Sequence, residues 1–403
     1  MNDPSHKNID SNNIDYSYDN YQDNKDLIVT PWEVSGDLED KMYIKLIERF
    51  GTQALSPDLI EKFRKLTGEI HPLIKSQYFF SHRDLDWLLT KYENGDPFYL
   101  YTGRGPSGLV HIGHLLPWLF TKYLQDKFGS KLLFQLTDDE KFLYNAGATR
   151  ETISKYTYEN ILDIIAIGFQ PNLTRIIIDT KHINYLYPIA TEIAKKITFS
   201  TAKAVFGFTN TTNIGMIGFP PIQAAPCFLP SIIEKKPTPV LIPAAIDQDP
   251  YWRITRDIAA KLGFYKPAQI HSKFLPSLSR ISKMSSSKPE TAIFTTDEPE
   301  IVEKKALSSF TGGQATISLQ KKLGGNADIC PVYAYLKYFF DTEKESLERY
   351  IRCKSGNLLC GECKSDLANN TKTFIIEFKR KREKAKDKVK DFMFDEKCPA
   401  EQN

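Results

Sequence analysis

Residues 97–114 read PFYLYTGRGPSGLVHIGH, and the fold follows from how they parse. PFYLYT (97–102) is a short apolar run of strand length. GRGPSG (103–108) is a glycine-rich turn. HIGHLLPWLFTKYLQDKF (111–128) places Leu115, Trp118, Leu119 and Phe128 at helical spacing on one face. Pro117 is read near the first turn of that helix, where a missing N–H costs little. A strand that passes through a tight glycine turn into a helix is the opening unit of an α/β domain.

The pattern repeats outward. KLLFQLT (131–137), RIIID (175–179), TPVLIP (238–243) and AQIHS (268–272) read as further strands, with helices predicted over 151–169 and around 250–262. This alternation predicts a Rossmann-like parallel sheet covered by helices on both faces. Upstream, LIVTPWEV (27–34) reads as an extended or hairpin element and 40–67 as two short helices. FFSHRDLDWLLTKYENG (79–95) reads as one helix ending at Asn94-Gly95. Beyond about residue 297 strand signals fade. Helices broken at Gly312-Gly313, Gly324-Gly325 and Gly356 suggest a second, all-helical domain.

The chain has 403 residues, 41% of them hydrophobic and 26% charged, which excludes collagen-like and disulfide-stapled classes. No run of about 18 consecutive apolar residues occurs, so no membrane span is expected. The formal net charge is +3, the sum of unlike parts. Residues 1–26 hold six Asp, six Asn and two Lys, a composition that predicts a disordered acidic tail with no secretory or transit signal. KRKREKAKDKVK (379–390) holds eight basic and two acidic residues. It suits either contacts to nucleic-acid phosphates or the solvated face of a long helix. Six cysteines suit a reducing, cytoplasmic setting. Cys353, Cys360 and Cys363 form C-x6-C-x2-C, which lacks the second close pair of a zinc site. Cys398 is the remaining candidate nearby in sequence, and no metal site is assigned.

The turn also satisfies G-x-G-x-x-G, the dinucleotide fingerprint. However, Pro106 interrupts it, and the next acids, Asp138 and Asp139, come later than that fingerprint requires. His111 and His114, three apart with Gly113 between them, lie on one side of a helix N-terminus. There the free N–H groups and the imidazoles favour a phosphate. Read alone, the pair could simply cap the helix. After the last strand comes KMSSS, where Lys283, Ser285, Ser286 and Ser287 surround Met284. Alone this is a serine-rich turn; paired with HIGH it is a lysine-and-hydroxyl clamp for a triphosphate.

HIGH after the first strand and KMSSS after the last resemble the two-part signature of class I aminoacyl-tRNA synthetases. YLYTGRGPSGLVHIGHL, QLTDDEKF, FGFT, GFPPIQAAP, IPAAIDQDPYWRITRDIA and KMSSS resemble tryptophanyl-tRNA synthetases of the eukaryotic cytoplasmic type, from about Pro31 to Met393. The resemblance implies ATP-driven formation of tryptophanyl-adenylate, followed by transfer to tRNA(Trp), in a cytoplasmic homodimer. Mg²⁺ would be held mainly by phosphates and water. His111, Gly113 and His114 would hold ATP and the transition state, with Arg104 and Gly105 against the nucleotide. Lys283, Met284, Ser285, Ser286 and Ser287 would line the pyrophosphate. The family usually has alanine where Ser286 stands. Tyr101 and Gln135 would take the indole N–H beside Gly103, Glu140, Gln223 and Gln248 the amino group, and Lys141 the carboxylate. A tyrosyl-tRNA synthetase shares both signatures, but glutamine at 135 and IDQDPYWR (247–253 region) suit the tryptophan branch. A synthetase-like protein without catalysis would be expected to lose HIGH or KMSSS. A smaller HxGH nucleotidyltransferase would lack the helical end.

The implied organisation is a 1–26 tail, a 27–96 hairpin and helical extension, a 97–297 catalytic domain, a 298–383 anticodon-binding domain and a 384–403 segment returning to the catalytic domain. The head is too short and too acidic for the basic helix–turn–helix module that some relatives carry.

Overall fold

The computed structural model describes residues 28–29, 34–35, 40–280, 284 and 288–394. The expected tail (1–26), Trp32, Glu33, Lys283, Ser285, Ser286, Ser287 and the last nine residues lie outside them. Ile28–Val29 (β1) and Val34–Ser35 (β2) pair antiparallel, in keeping with the hairpin expected there.

Seven further strands form the main sheet: β3 (Gln53–Ala54), β4 (Phe79–Arg83), β5 (Tyr99–Arg104), β6 (Leu132–Leu136), β7 (Thr174–Ile178), β8 (Val240–Ala245) and β9 (Ala268–Ser272). Their order is β3-β4-β9-β8-β5-β6-β7, with β9 to β7 parallel and β3 and β4 antiparallel at one edge. The five strands read from sequence are thus the parallel ones. From β5 the chain winds outward through β6 to β7, then returns to β8 and β9 on the other side. The crevice above β5 and β8 is therefore the topological switch point, where open α/β sheets hold ligands.

Side chains alternate across the sheet. Leu100, Leu132 and Phe134 join one apolar core, while Tyr99, Tyr101 and Leu133 join the core on the opposite face. The helix Ile112–Phe128 covers the first face, together with the helical end. Ile214–Ala224 and Asp249–Ala259 cover the second. Burial on both faces explains the continuous apolar runs.

Two local expectations are corrected. Residues 79–83 are strand; only Leu85–Glu93 is helix, and Asp84 at φ 51° separates them. Phe79 and Phe80 are buried without alternation, so the helical spacing of Leu85, Leu88 and Leu89 masked the strand. Pro117 lies in the second turn of its helix, which starts at Ile112, so the ring withholds the N–H that the Gly113 carbonyl would otherwise accept.

After β9 the chain is helical, including Pro299–Ser308, Glu343–Lys354 and Cys360–Ala385. The last of these lies along Arg150–Ala166. There Arg382 places Nε 2.7 Å from Asp163 and NH2 2.7 Å from Glu159. Lys379 pairs with Glu298 and Lys386 with Glu383. Part of the 379–390 basic run is therefore spent within the fold. Past this helix Met393 bridges Ile176 of β7, and the Phe394 N–H donates to the Ile176 carbonyl at 3.0 Å.

Two histidines are held neutral by burial. The His71 Nδ1 accepts the Leu73 N–H at 3.1 Å, and burial lowers its pKa from 6.5 to about 4. His271 is fully buried, with Nδ1 3.0 Å from the Ser81 hydroxyl and Nε2 donating to the Gln269 side-chain oxygen at 2.7 Å. Burial lowers it to about 4 as well, against the pull of Asp249. The unfolded chain binds these protons near pH 6.5 and the folded chain only near 4. Between those values acid favours unfolding, so this stability is complete above pH 6.5 and lost toward pH 4. Urea unfolding is expected to give a lower free energy at pH 5 than at pH 7, with a smaller difference in His271→Gln.

Candidate active site

A basin of about 950 Å³ opens at the switch point. Tyr101, Gly103, Arg104, Gly105, His111, Gly113, His114, Gln135, Glu140, Lys141, Gln223, Gln248 and Met284 line it. Every described residue expected at the site therefore reaches one cavity. The others, Lys283, Ser285, Ser286 and Ser287, lie outside the described residues.

The floor is a polar network with little exposure. The Tyr101 hydroxyl is 2.5 Å from Gln135 Oε1 and 2.8 Å from the Gln223 backbone carbonyl. Gln135 Nε2 donates to Asp179 at 2.8 Å. That bond fixes which way the amide faces: nitrogen toward Asp179, oxygen toward Tyr101 and the basin. Burial raises the Tyr101 pKa well above its ordinary value, so its proton is retained. Asp179 is raised well above the carboxylate range by burial and by the nearby Asp139. Burial lifts Asp139 to about 6. Burial and the neighbouring Asp139 both disfavour a charge on Asp179. The Trp252 ring meets Tyr101 edge-on at 5.3 Å and completes the apolar wall.

Glycines set the close approaches. A Cβ on Gly103 would lie 2.9 Å from the Gln135 carbonyl, and one on Gly105 would collide with Lys141. Glu140 accepts from Thr137 at 2.8 Å and from Lys141 at 2.7 Å, so the acid and the base sit side by side at the rim. The kinked helix Ile214–Ala224, which contains Pro220 and Pro221, brings the Gln223 carbonyl onto Tyr101.

His111 is the N-cap of the helix Ile112–Phe128, and its ring stacks on His114 with centroids 3.5 Å apart. The Ile112 N–H donates to the Ile293 carbonyl at 2.9 Å, and the Thr295 N–H to Val110 at 3.0 Å. This strap from beyond the KMSSS loop fixes the HIGH turn. The buried Met284 docks its N–H on Leu275, and a methyl on Gly113 would lie 3.6 Å from its sulfur. The first and last motifs thus meet across the basin.

Arg104, expected against the nucleotide, lines the basin. Its guanidinium turns to the Asn160 side chain and to the carbonyls of Gly108 and Leu109, where burial lowers its pKa to about 10. The side chain braces the glycine loop from beneath.

Several contributors were not found from sequence. Asp179 and Asp139 lie behind Gln135, Asn160 behind Arg104, and the buried Lys273 lines the basin. Arg83 on β4 clamps Asp249, with Nε to Oδ1 at 2.7 Å and NH2 to Oδ2 at 2.9 Å, and so pins the residue after Gln248. An arginine or aspartate alone carries no signal of such a pair; the IDQD spacing was the only hint.

Comparison with known proteins places this architecture. The family described as tRNA synthetases class I (W and Y) matches residues 93–375. A tryptophan–tRNA ligase of Pyrobaculum calidifontis is 50% identical over 366 residues, 91% of this chain and 97% of that protein. One of Thermococcus sibiricus is 52% identical over 370 residues, 91% and 94% respectively. The Plasmodium falciparum tryptophanyl-tRNA synthetase structure is 40% identical with a TM-score of 0.83, covering 90% of this chain and 99% of that one.

Because Asp249 is fully buried, truncating Arg83 leaves an uncompensated charge. Arg83→Met is expected to lose about 3 kcal/mol of unfolding free energy. In a double-mutant cycle by urea denaturation, Arg83→Met with Asp249→Asn should cost less than the sum of the two single changes.

Proposed function

The chain belongs to the class I tRNA synthetases of the tryptophan and tyrosine group and is a tryptophan–tRNA ligase, and from that premise we propose how its basin works. The observation that carries the assignment is the single cavity in which the Tyr101–Gln135–Asp179 floor faces the HIGH turn.

In this reading the indole enters over β5, edge-on to Trp252. Its N–H is accepted by Gln135 Oε1 or the Tyr101 oxygen, whose own proton is directed to the Gln223 carbonyl. A phenyl ring in the same place would leave these buried acceptors unpaired, a large penalty. Glu140, Gln223 and Gln248 hold the ammonium, and Lys141 steers the carboxylate toward the α-phosphate. The carboxylate oxygen attacks phosphorus, the bond to the bridging oxygen breaks, and pyrophosphate leaves. His111 and His114, held at a helix N-terminus, donate to the oxygens on which charge gathers. Gly105 and Gly113 keep the backbone bare for the nucleotide, which Arg104 also contacts, and Gly103 does the same for tryptophan. Lys283, Met284, Ser285, Ser286 and Ser287 enclose the pyrophosphate. Hydrated Mg²⁺ supplies charge neutralisation on the phosphates when bound.

The reading extends to the whole chain. Residues 97–297 act as the catalytic domain, with the 27–96 hairpin and helical extension before it. Residues 298–383 bind the anticodon of tRNA(Trp), and 384–403 close back on the sheet, a placement supported by the Met393–Ile176 bridge. The free described cysteines and the absence of any described helix long and apolar enough to cross a membrane support a cytoplasmic setting. The resemblance supports a homodimer. The hairpin Ile28–Val29/Val34–Ser35 supports the eukaryotic cytoplasmic branch, although close curated relatives are archaeal.

Tryptophan-dependent ATP–pyrophosphate exchange tests the roles. His114→Ala and Lys283→Ala should each lower it about a hundredfold; near-normal rates would remove those residues from the mechanism. Asp179 acts through Gln135 as a positioning residue. Asp179→Asn should raise the KM for tryptophan about tenfold with kcat within about twofold. An equal fall in kcat alone would count against that role.

A further inference from the structure

We propose, on the reading of the basin as the ATP site, that Lys273 is a second lysine of the triphosphate clamp. It reaches the β- and γ-phosphates from the wall opposite the indole floor. Neither HIGH nor KMSSS includes it, and its sequence context HSKF marks no motif.

Lys273 is the first residue beyond β9, so it stands at the carboxyl end of a parallel strand, on the rim of the switch-point crevice. It lines the basin and is only 6% exposed. Lysine is seldom buried to this degree, because its ammonium must be compensated. Its Nζ lies 5.1 Å from the centre of the Tyr43 ring, on the helix Asp40–Phe50. An aromatic face attracts an ammonium through its quadrupole and engages one side of it, so the same group can also donate to an oxyanion.

The backbone around Lys273 is fixed. Its own N–H donates to the Tyr78 carbonyl at 2.8 Å, and the Phe274 N–H donates to the Tyr43 hydroxyl at 3.1 Å. The Met284 N–H donates to the Leu275 carbonyl, also at 3.1 Å. Met284 in turn meets Gly113 of HIGH, where a Cβ would lie 3.6 Å from its sulfur. Lys273 therefore belongs to the short segment on which the first and last motifs close.

Sheet order says which end of the ligand it faces. The indole floor is built on β5 and β6 through Tyr101 and Gln135. β9 lies two strand spacings from β5 and three from β6, about 10 and 14 Å. The ammonium thus stands away from the amino-acid floor, on the side where HIGH meets KMSSS. A compact ammonium is a point charge suited to phosphate oxygens. Held in a wall that excludes water, it stabilises the charge that gathers on the leaving pyrophosphate more than a solvated lysine does.

The test uses tryptophan-dependent ATP–pyrophosphate exchange and its reverse from preformed tryptophanyl-adenylate. Lys273→Met should raise the KM for ATP and for pyrophosphate about tenfold, with the KM for tryptophan within about twofold. Lys273→Arg, which keeps the charge, should recover most of the loss. Equal rises for tryptophan and ATP, or an unchanged KM for pyrophosphate, would mark the side chain as packing and overturn the proposal. A second measurement needs no variant. On the unaltered chain, pyridoxal phosphate trapped with borohydride should label Lys273, and magnesium pyrophosphate but not tryptophan should block the label. Labelling indifferent to pyrophosphate overturns the proposal even where Lys273→Met fails to fold. Absence of tryptophan-dependent exchange in the unaltered chain would instead remove the ATP-site reading itself.

Discussion

A buried amide must have both its ends paired, and at Gln135 that requirement organises the floor of the basin. Its nitrogen is held by Asp179 and its oxygen by Tyr101, so neither can rotate without stranding a polar group in a dry interior. Gly103 must then be bare, because the strand carrying Tyr101 runs within van der Waals reach of the Gln135 backbone. Asp179 in turn lies beside Asp139, at the start of the helix Asp138–Tyr144 that also carries Glu140 and Lys141. In the proposed mechanism, recognition of the indole N–H and placement of the reacting groups are thereby joined through one side chain.

The same economy ties distant parts of the chain to the nucleotide end. The HIGH turn is strapped by residues 293–295, and the glycine loop rests on Arg104, which rests on Asn160 of the helix Arg150–Ala166. That helix is gripped from outside by Arg382 through Glu159 and Asp163. A displacement of the helical end therefore has a short route, through ion pairs and hydrogen bonds, to the glycine loop 103–108. In a ligase that must match a distant RNA signal to chemistry, such a route is a physical means of coupling.

Legibility from sequence followed the range of the interactions. The five parallel strands were readable because burial on both faces makes them continuous apolar runs. The edge strand Phe79–Arg83 was not, because a helical spacing begins two residues later and Asp84 carries no mark of its left-handed backbone. HIGH, the glycine turn and KMSSS announce themselves by local spacing. Tyr101, Gln135, Glu140, Gln223 and Gln248 were named through resemblance, each being ordinary on its own. Asp179, Asn160 and the Arg83–Asp249 clamp depend on partners 44 to 166 residues away. No periodicity records such meetings; only the folded chain does.

The short bridge from Met393 to Ile176 has a consequence for assembly. An open parallel sheet ends in a strand whose unpaired amides invite another chain. Here the chain's own last described residues occupy part of that border, and Phe394 plugs against His182 and Tyr185 beside it. At the opposite border β3 is only two residues long. Among the described residues, then, neither rim offers a long template for sheet extension. Two copies of this chain would have to meet through faces and helices, and the same closure guards the sheet against the edge-to-edge stacking that leads to aggregates.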